Sequence, residues 1–179
     1  MNINIRLAQA AEISALEQLI VRSVRGLSVG YYTPEQIESA IRYVFGVDTQ
    51  LIADGTYFVA EVEGVLAGCG GWSKRKTLYG GDKVKETEDP LLDPAHEPAR
   101  IRAFFVDPAF ARRGVGRQII ATCEEAAQAA GFTRLELAAT LPGVPLYAAV
   151  GYQAIERLEV PMPDGVLVPI VRMGKQLGA

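Results

Sequence analysis

At 179 residues the chain has the length of one ordinary domain, enough to bury roughly two thirds of its unfolded surface around a core. Hydrophobic residues make up 49% and charged residues 22%, which excludes a disordered or fibrous chain. A formal net charge of -3 supplies no general field for gathering phosphate backbones, so nucleic-acid binding is not expected. Cys69 and Cys123 stand in no metal-ligand spacing and read as reduced, buried thiols, which suits a cytoplasmic protein without a bound metal. The first six residues hold no basic region followed by an apolar run, so no secretory signal is expected. The longest uncharged stretch, residues 137–153, is broken by Pro142 and Pro145, and no membrane span is expected either.

In chain order, Ile3 and Ile5 alternate with polar residues as in a short strand, and Ile13, Leu16, Leu19, Ile20 and Val24 then mark one face of a helix. Thr33, Pro34 and Glu35 form the start signal of a second helix, which carries Ile37, Ile41 and Val44 and ends near Gly46. Residues 57–62 and 65–72 are rich in strand formers and meet at Glu63-Gly64, as a hairpin does. Residues 73–98 mix charged residues with Gly and Pro and read as a long irregular insertion, too long for an idle connector. A strongly apolar strand follows at 101–106, stopped by Asp107-Pro108. A loop over 107–113 leads to a helix from Gly114 to Gly131, with Ile119, Cys123 and Ala127 on its apolar face. Residues 134–139 form the next strand, so strand, helix and strand make a crossover unit with parallel strands. A short helix around 145–150 and two strands, 152–159 and 166–173, complete the chain.

The chemistry concentrates at Arg112, Arg113, Gly114, Val115, Gly116 and Arg117, where a helix opens after a strand and a loop. The first N–H groups of a helix lack intrahelical partners, and the helix dipole favours negative charge. Glycines let a diphosphate approach the backbone, and arginines add charge-assisted bonds. The alternative is a solvated basic turn. The spacing of a P-loop is absent. A dinucleotide fingerprint is imitated by Gly114, Gly116 and Glu136, but Ile119 stands at its third glycine and no tight turn leads off the strand.

This segment resembles the hallmark of the GNAT superfamily of N-acetyltransferases, a strand ending in Val-x-Pro, a loop, and Gln/Arg-x-x-Gly-x-Gly/Ala opening a helix. Here it runs from Phe104-Phe105-Val106-Asp107-Pro108 to Gly114-Val115-Gly116, with Ala111 in the leading position. A second match, Leu146-Tyr147 through Gly151-Tyr152, resembles the family's Leu-Tyr-x-x-x-Gly-Phe/Tyr ending, and Thr140 stands where the family often has Asn. The resemblance implies one α/β domain over 1–179, with the insertion at about 73–98. Its sheet would be mixed, mostly antiparallel and flanked by helices, with a parallel pair splayed around the cofactor.

The resemblance further implies acetyl-CoA as co-substrate and acetyl transfer to the primary amine of a small molecule or peptide, by direct attack in a ternary complex. The main chain of Phe104, Phe105 and Val106 would pair with the pantetheine arm and polarise the acetyl carbonyl, the segment 112–117 would hold the pyrophosphate, and Tyr147 would protonate the departing thiolate. A plain core tyrosine is the alternative for Tyr147. Glu97, Asp93 and Glu61 are the carboxylates considered as general base, alongside a water relay, and His96 is the one histidine. The insertion is expected to cover the acceptor side or to join a homodimer interface. A non-catalytic acyl-CoA sensor and a nucleotide-binding oxidoreductase are the rival readings.

Overall fold

The computed structural model describes residues 1–84 and 89–178. Its first strand, β1 (Ile3–Leu7), follows the apolar alternation of the sequence. Helix α1 (Ile13–Leu27) buries Leu16, Leu19, Ile20, Ser23 and Val24, a single stripe at three- and four-residue spacing. Helix α2 (Pro34–Tyr43) opens on a reciprocal cap: the Gln36 N–H donates to Thr33 Oγ1 at 3.2 Å, and the Thr33 N–H donates to Gln36 Oε1 at 2.9 Å. The sequence did not signal α3 (Thr49–Asp54), which is too short to show a period; Asp48 caps its start and left-handed Gly55 ends it.

Strands β2 (Tyr57–Val62) and β3 (Val65–Ser73) form the expected hairpin, whose two turn residues Glu63 and Gly64 both have positive φ. No helix or strand intervenes among the described residues before β4 (Ala99–Val106), which begins two residues earlier than the apolar run suggested. Helix α4 (Val115–Ala129), β5 (Arg134–Thr140), α5 (Val144–Ala149), β6 (Gln153–Pro161) and β7 (Leu167–Gln176) follow in the predicted order.

The seven strands form one sheet in the order β1-β2-β3-β4-β5-β7-β6. Every neighbouring pair is antiparallel except β4 and β5. That parallel pair shares only two rungs, Ala99 with Leu135 and Arg100 with Glu136, after which the strands part. At these rungs the Glu136 carboxylate lies 3.4 Å from both Arg100 of β4 and Arg172 of β7. One apolar cluster, with Ile119, Ile120, Cys123, Leu135 and Leu137, packs α4 and α5 on one face of the sheet. A second, with Leu16, Leu19, Leu51, Tyr57 and Val59, packs α1 to α3 on the other.

The insertion between β3 and β4 is fastened by charge. Arg75 donates to both Asp54 oxygens, at 2.7 and 3.0 Å, and to the Asp89 carbonyl at 2.9 Å. The fully buried Arg102 guanidinium donates to Asp48, to Asp89 at 2.6 Å and to Ser73 Oγ at 3.3 Å. Burial pushes the Asp89 carboxyl up, but the bonds from Arg102 and Thr77 outweigh it and hold the group below its ordinary range. Lys83 caps the end of α2, donating to the Ile41 and Phe45 carbonyls at 2.8 Å each.

Candidate active site

The parting of β4 from β5 leaves one edge of β4 without a ladder partner beyond Arg100. Alternate main-chain groups of residues 101–106 therefore face a cleft instead of a strand. The strand is also bulged there: its register against β3 shifts between Cys69 and Gly71, and Ala103 adopts φ 51°. The Tyr57 hydroxyl donates to the Ala103 carbonyl at 2.9 Å and fixes the bulge from below. Small residues on β3 allow the close packing above it, since a Cβ at Gly70 would lie 2.4 Å from Phe104 Cδ2. Phe104, Phe105 and Val106 thus combine partly buried side chains with a main chain at the cleft.

The loop after β4 is held from α1. Arg22 donates twice to Asp107 Oδ2, at 3.0 and 2.9 Å, and Asp107 Oδ1 accepts the Ala109 N–H at 2.9 Å. The chain then passes through Arg112 at φ 61° and Gly114 at φ 87° to start α4. No side chain caps this start, and its first turn holds no acidic residue. Arg112, Arg113 and Arg117 are exposed and make no ion pair among the described residues. Arg6, Arg22, Arg25, Arg75, Arg100 and Arg102 each hold a carboxylate. Open helix amides beside guanidinium groups without an ion pair are the kind of arrangement that suits an anion.

The two glycines of this segment differ in kind. Gly114 needs its left-handed backbone, and a Cβ there would meet nothing within 4 Å. Gly116 is buried, and its Cβ would lie 2.7 Å from Leu146 Cδ2, so the space there serves the packing of α4 on α5. Gly116 thus has a packing reason of its own, beside the expectation that both glycines clear a path for a diphosphate. Val115 likewise gives its side chain to the core and only its backbone to the helix start.

Tyr147 comes from α5 on the opposite wall. Its buried ring meets Phe104 and Tyr152 edge-on, with centroids 5.8 Å away in each case. Its hydroxyl has no hydrogen-bond partner among the described residues, and burial raises its pKa, so the phenol keeps its proton at neutral pH. Two cavities meet beside it. One runs past the end of α1 at Ser23, Val24, Leu27 and Ser28 and along Phe105 and Val106. The other opens to solvent and lies between Val44 and Phe45, the insertion at Leu78 and Tyr79, and the β6–β7 hairpin. Phe45, Phe104, Phe105, Thr140 and Tyr147 line both.

The other residues singled out in the sequence stand elsewhere. Glu61 binds Arg6 at 2.7 Å, Asp93 pairs with exposed His96 at 2.7 Å, and Glu97 accepts the Asp93 N–H at 2.8 Å. None of these four lines either cavity. Both cysteines are buried; burial pushes the Cys69 thiol up to about 12 and raises that of Cys123 as well, so neither is a ready nucleophile. Among the described residues no group of three or more His, Cys, Asp or Glu is arranged to hold a metal, and no helix is long and apolar enough to cross a membrane. The bulge at Ala103 and the wall formed by Phe45, Leu78 and the last hairpin had not been singled out. They are apolar positions drawn from separate segments, with no motif to mark them.

The model of the acetyltransferase (GNAT) family matches residues 21–152. The chain belongs to this family. The acetyltransferase therefore takes acetyl-CoA as its acyl donor. Among solved structures, it is similar to a GCN5-related N-acetyltransferase from Rhodopseudomonas palustris, with 22% identity over 99% of this chain and 97% of that one and a TM-score of 0.74. It is also similar to the PaiA N-acetyltransferase from Thermoplasma acidophilum in complex with coenzyme A, with 14% identity, coverage of 98% and 99%, and a TM-score of 0.66. YncA from Salmonella typhimurium, a putative acetyltransferase with its cofactor acetyl-CoA, gives 15% identity, coverage of 100% and 96%, and a TM-score of 0.61. No curated protein matches the acetyltransferase in sequence.

Proposed function

We propose that this acetyltransferase moves the acetyl group of acetyl-CoA to a primary amine, by direct attack with both substrates bound. The observation that carries the reading is the meeting of two cavities at Phe104 and Tyr147, on the open edge of β4. The cavity beside Ser23, Val106 and Leu146 suits the pantetheine arm, with the amides of residues 112–117 and their arginines on the pyrophosphate. The relatives solved with coenzyme A and acetyl-CoA support a CoA thioester as the donor.

Each protein group then has one task. A main-chain N–H of the Phe104–Val106 stretch polarises the acetyl carbonyl and stabilises the oxyanion as the amine nitrogen attacks. As the tetrahedral intermediate collapses, the carbon–sulfur bond breaks and Tyr147 gives its proton to the sulfur. The new amide loses its extra proton to water, and solvent returns a proton to the phenolate. No acyl-enzyme is formed, because neither buried thiol lines the cleft. The fastened insertion supplies Leu78 and Tyr79 to the second cavity, which gives it a role on the acceptor side.

The test is thiol release from acetyl-CoA in the presence of amines, with the acetylated product detected by mass spectrometry. Amine-dependent thiol release supports the reading, and tight acetyl-CoA binding without turnover on any amine would make the protein a sensor instead.

A further inference from the structure

The second cavity has a character that the catalytic groups do not require. From α2 and the chain beyond it come Ala40, Val44 and Phe45, and from the insertion come Leu78 and Tyr79. The hairpin adds Val160, Met162, Val168 and Ile170. Among the described residues, no carboxylate, histidine or lysine lines it.

Among the described residues, Arg102 is the one charged side chain in the lining, and its donors are already committed. Its Nε and Nη2 face Asp48, and its Nη1 faces Asp89, Ser73 Oγ and the Thr77 carbonyl. A substrate carboxylate arriving there would compete with two resident carboxylates for the same fork. Glu17, behind Gly46, accepts the Val47 N–H at 2.9 Å and is not part of the lining.

These facts discriminate among amines. A polyamine carries distal ammonium groups that need carboxylates or water, and an amino acid carries a carboxylate that needs a free cation. Burying either charge unpaired is strongly unfavourable. An amine with a hydrocarbon body gains by burying apolar surface on the same wall. The wall also helps the chemistry: apolar surroundings disfavour an ammonium and favour the free amine that attacks.

We infer that the second cavity is the acceptor site for small primary amines with an apolar body, of the alkylamine or arylalkylamine class. The inference rests on the acetyl-transfer reading above and narrows it.

The experiment compares 2-phenylethylamine and hexylamine with spermidine and glutamate in the thiol-release assay, using the wild-type chain. A kcat/KM at least 10²-fold higher for the first two is the expected result. Turnover of spermidine or glutamate at equal or higher kcat/KM overturns the inference and leaves acetyl transfer standing. Failure of every amine class, with acetyl-CoA binding intact by calorimetry, overturns both readings.

A second arm uses Leu78→Asp, which places a carboxylate on the half-buried roof of the cavity. It is expected to raise KM for 2-phenylethylamine by 10-fold or more, leave KM for acetyl-CoA unchanged and improve spermidine as a substrate. An unchanged KM for 2-phenylethylamine in a folded variant counts against the inference, and the substrate panel on the wild-type chain tests it even if the variant does not fold.

Discussion

The two sides of the cleft are built by different means. The side proposed for the donor, β4 with the start of α4, offers main chain: an unpaired strand edge, a bulge at Ala103 and open helix amides beyond Gly114. The side proposed for the acceptor offers side chains collected from α2, the insertion and the last hairpin, and held together by the buried set of Arg102, Asp48 and Asp89. Main-chain recognition depends on local conformation and so leaves a compact sequence motif. Side-chain recognition assembled over long separations leaves none, and it can change without disturbing the donor site.

The largest expected effect falls on the fastening of the acceptor side. Arg102→Met takes the guanidinium away from the buried carboxylates of Asp48 and Asp89, which costs about 3–5 kcal/mol. The melting temperature should fall by roughly 10 °C in a chain of this size, and hydrogen exchange should rise first in residues 73–98. Faster exchange around α4 before the insertion opens would break the contrast between the two sides.

At the junction, Tyr147→Phe removes a hydroxyl and keeps the ring between Phe104 and Tyr152. Loss of the proton donor should lower kcat by about 10²-fold with little change in acetyl-CoA binding. A kcat within a few-fold of wild type would make Tyr147 a packing residue and pass the proton to water.

On the donor side, replacing Arg112 and Arg113 together by Ala should weaken CoA binding about 10-fold and flatten its dependence on salt. The glycines sharpen the comparison further. Gly114→Ala should cost about 1 kcal/mol through its positive φ alone, whereas Gly116→Ala should be relieved by a companion Leu146→Ala. Stability and CoA affinity measured on the single and double variants distinguish backbone strain from overpacking. Absence of any rescue by Leu146→Ala would reject the packing role of Gly116.

The smallest effect is acid loosening of the insertion. Bonds from Arg75 hold the Asp54 carboxyl below its ordinary range, against the cost of burial. A carboxylate with a depressed folded pKa stabilises the fold above its unfolded pKa, and that contribution is lost as pH falls through the folded value. Proteolysis within residues 73–98 should therefore stay slow near neutrality and quicken below about pH 4. A susceptibility that does not change with pH would show that the Asp54–Arg75 pair does not hold the segment.

The same division explains what the sequence reveals. The crossover around α4 was legible because strand, stop, glycine and apolar period follow one another without a gap. The hairpin at Glu63-Gly64 was legible for the same reason. Helix α3 was not, since six residues cannot display a helical period, and it depends on Asp48 at one end and Gly55 at the other. At the site, Tyr147 and the residues before α4 carried local motifs, and the structure sets Tyr147 beside Phe104. The carboxylates considered as a base could not be placed from sequence, because nothing local distinguishes Glu61 in an ion pair with Arg6 from a carboxylate aimed into a cleft.

The brief meeting of β4 and β5 also has a mechanical meaning. With only two rungs between them, the sheet consists of two stiff plates, one of four strands and one of three, joined at one end like the covers of a book. Glu136 sits at the spine as an ionic clasp, gripped by Arg100 from one plate and Arg172 from the other. A force pulling the covers apart would meet this clasp first, and a ligand lying between them would act as a binding thread, stiffening a molecule whose own stitching stops after two rows.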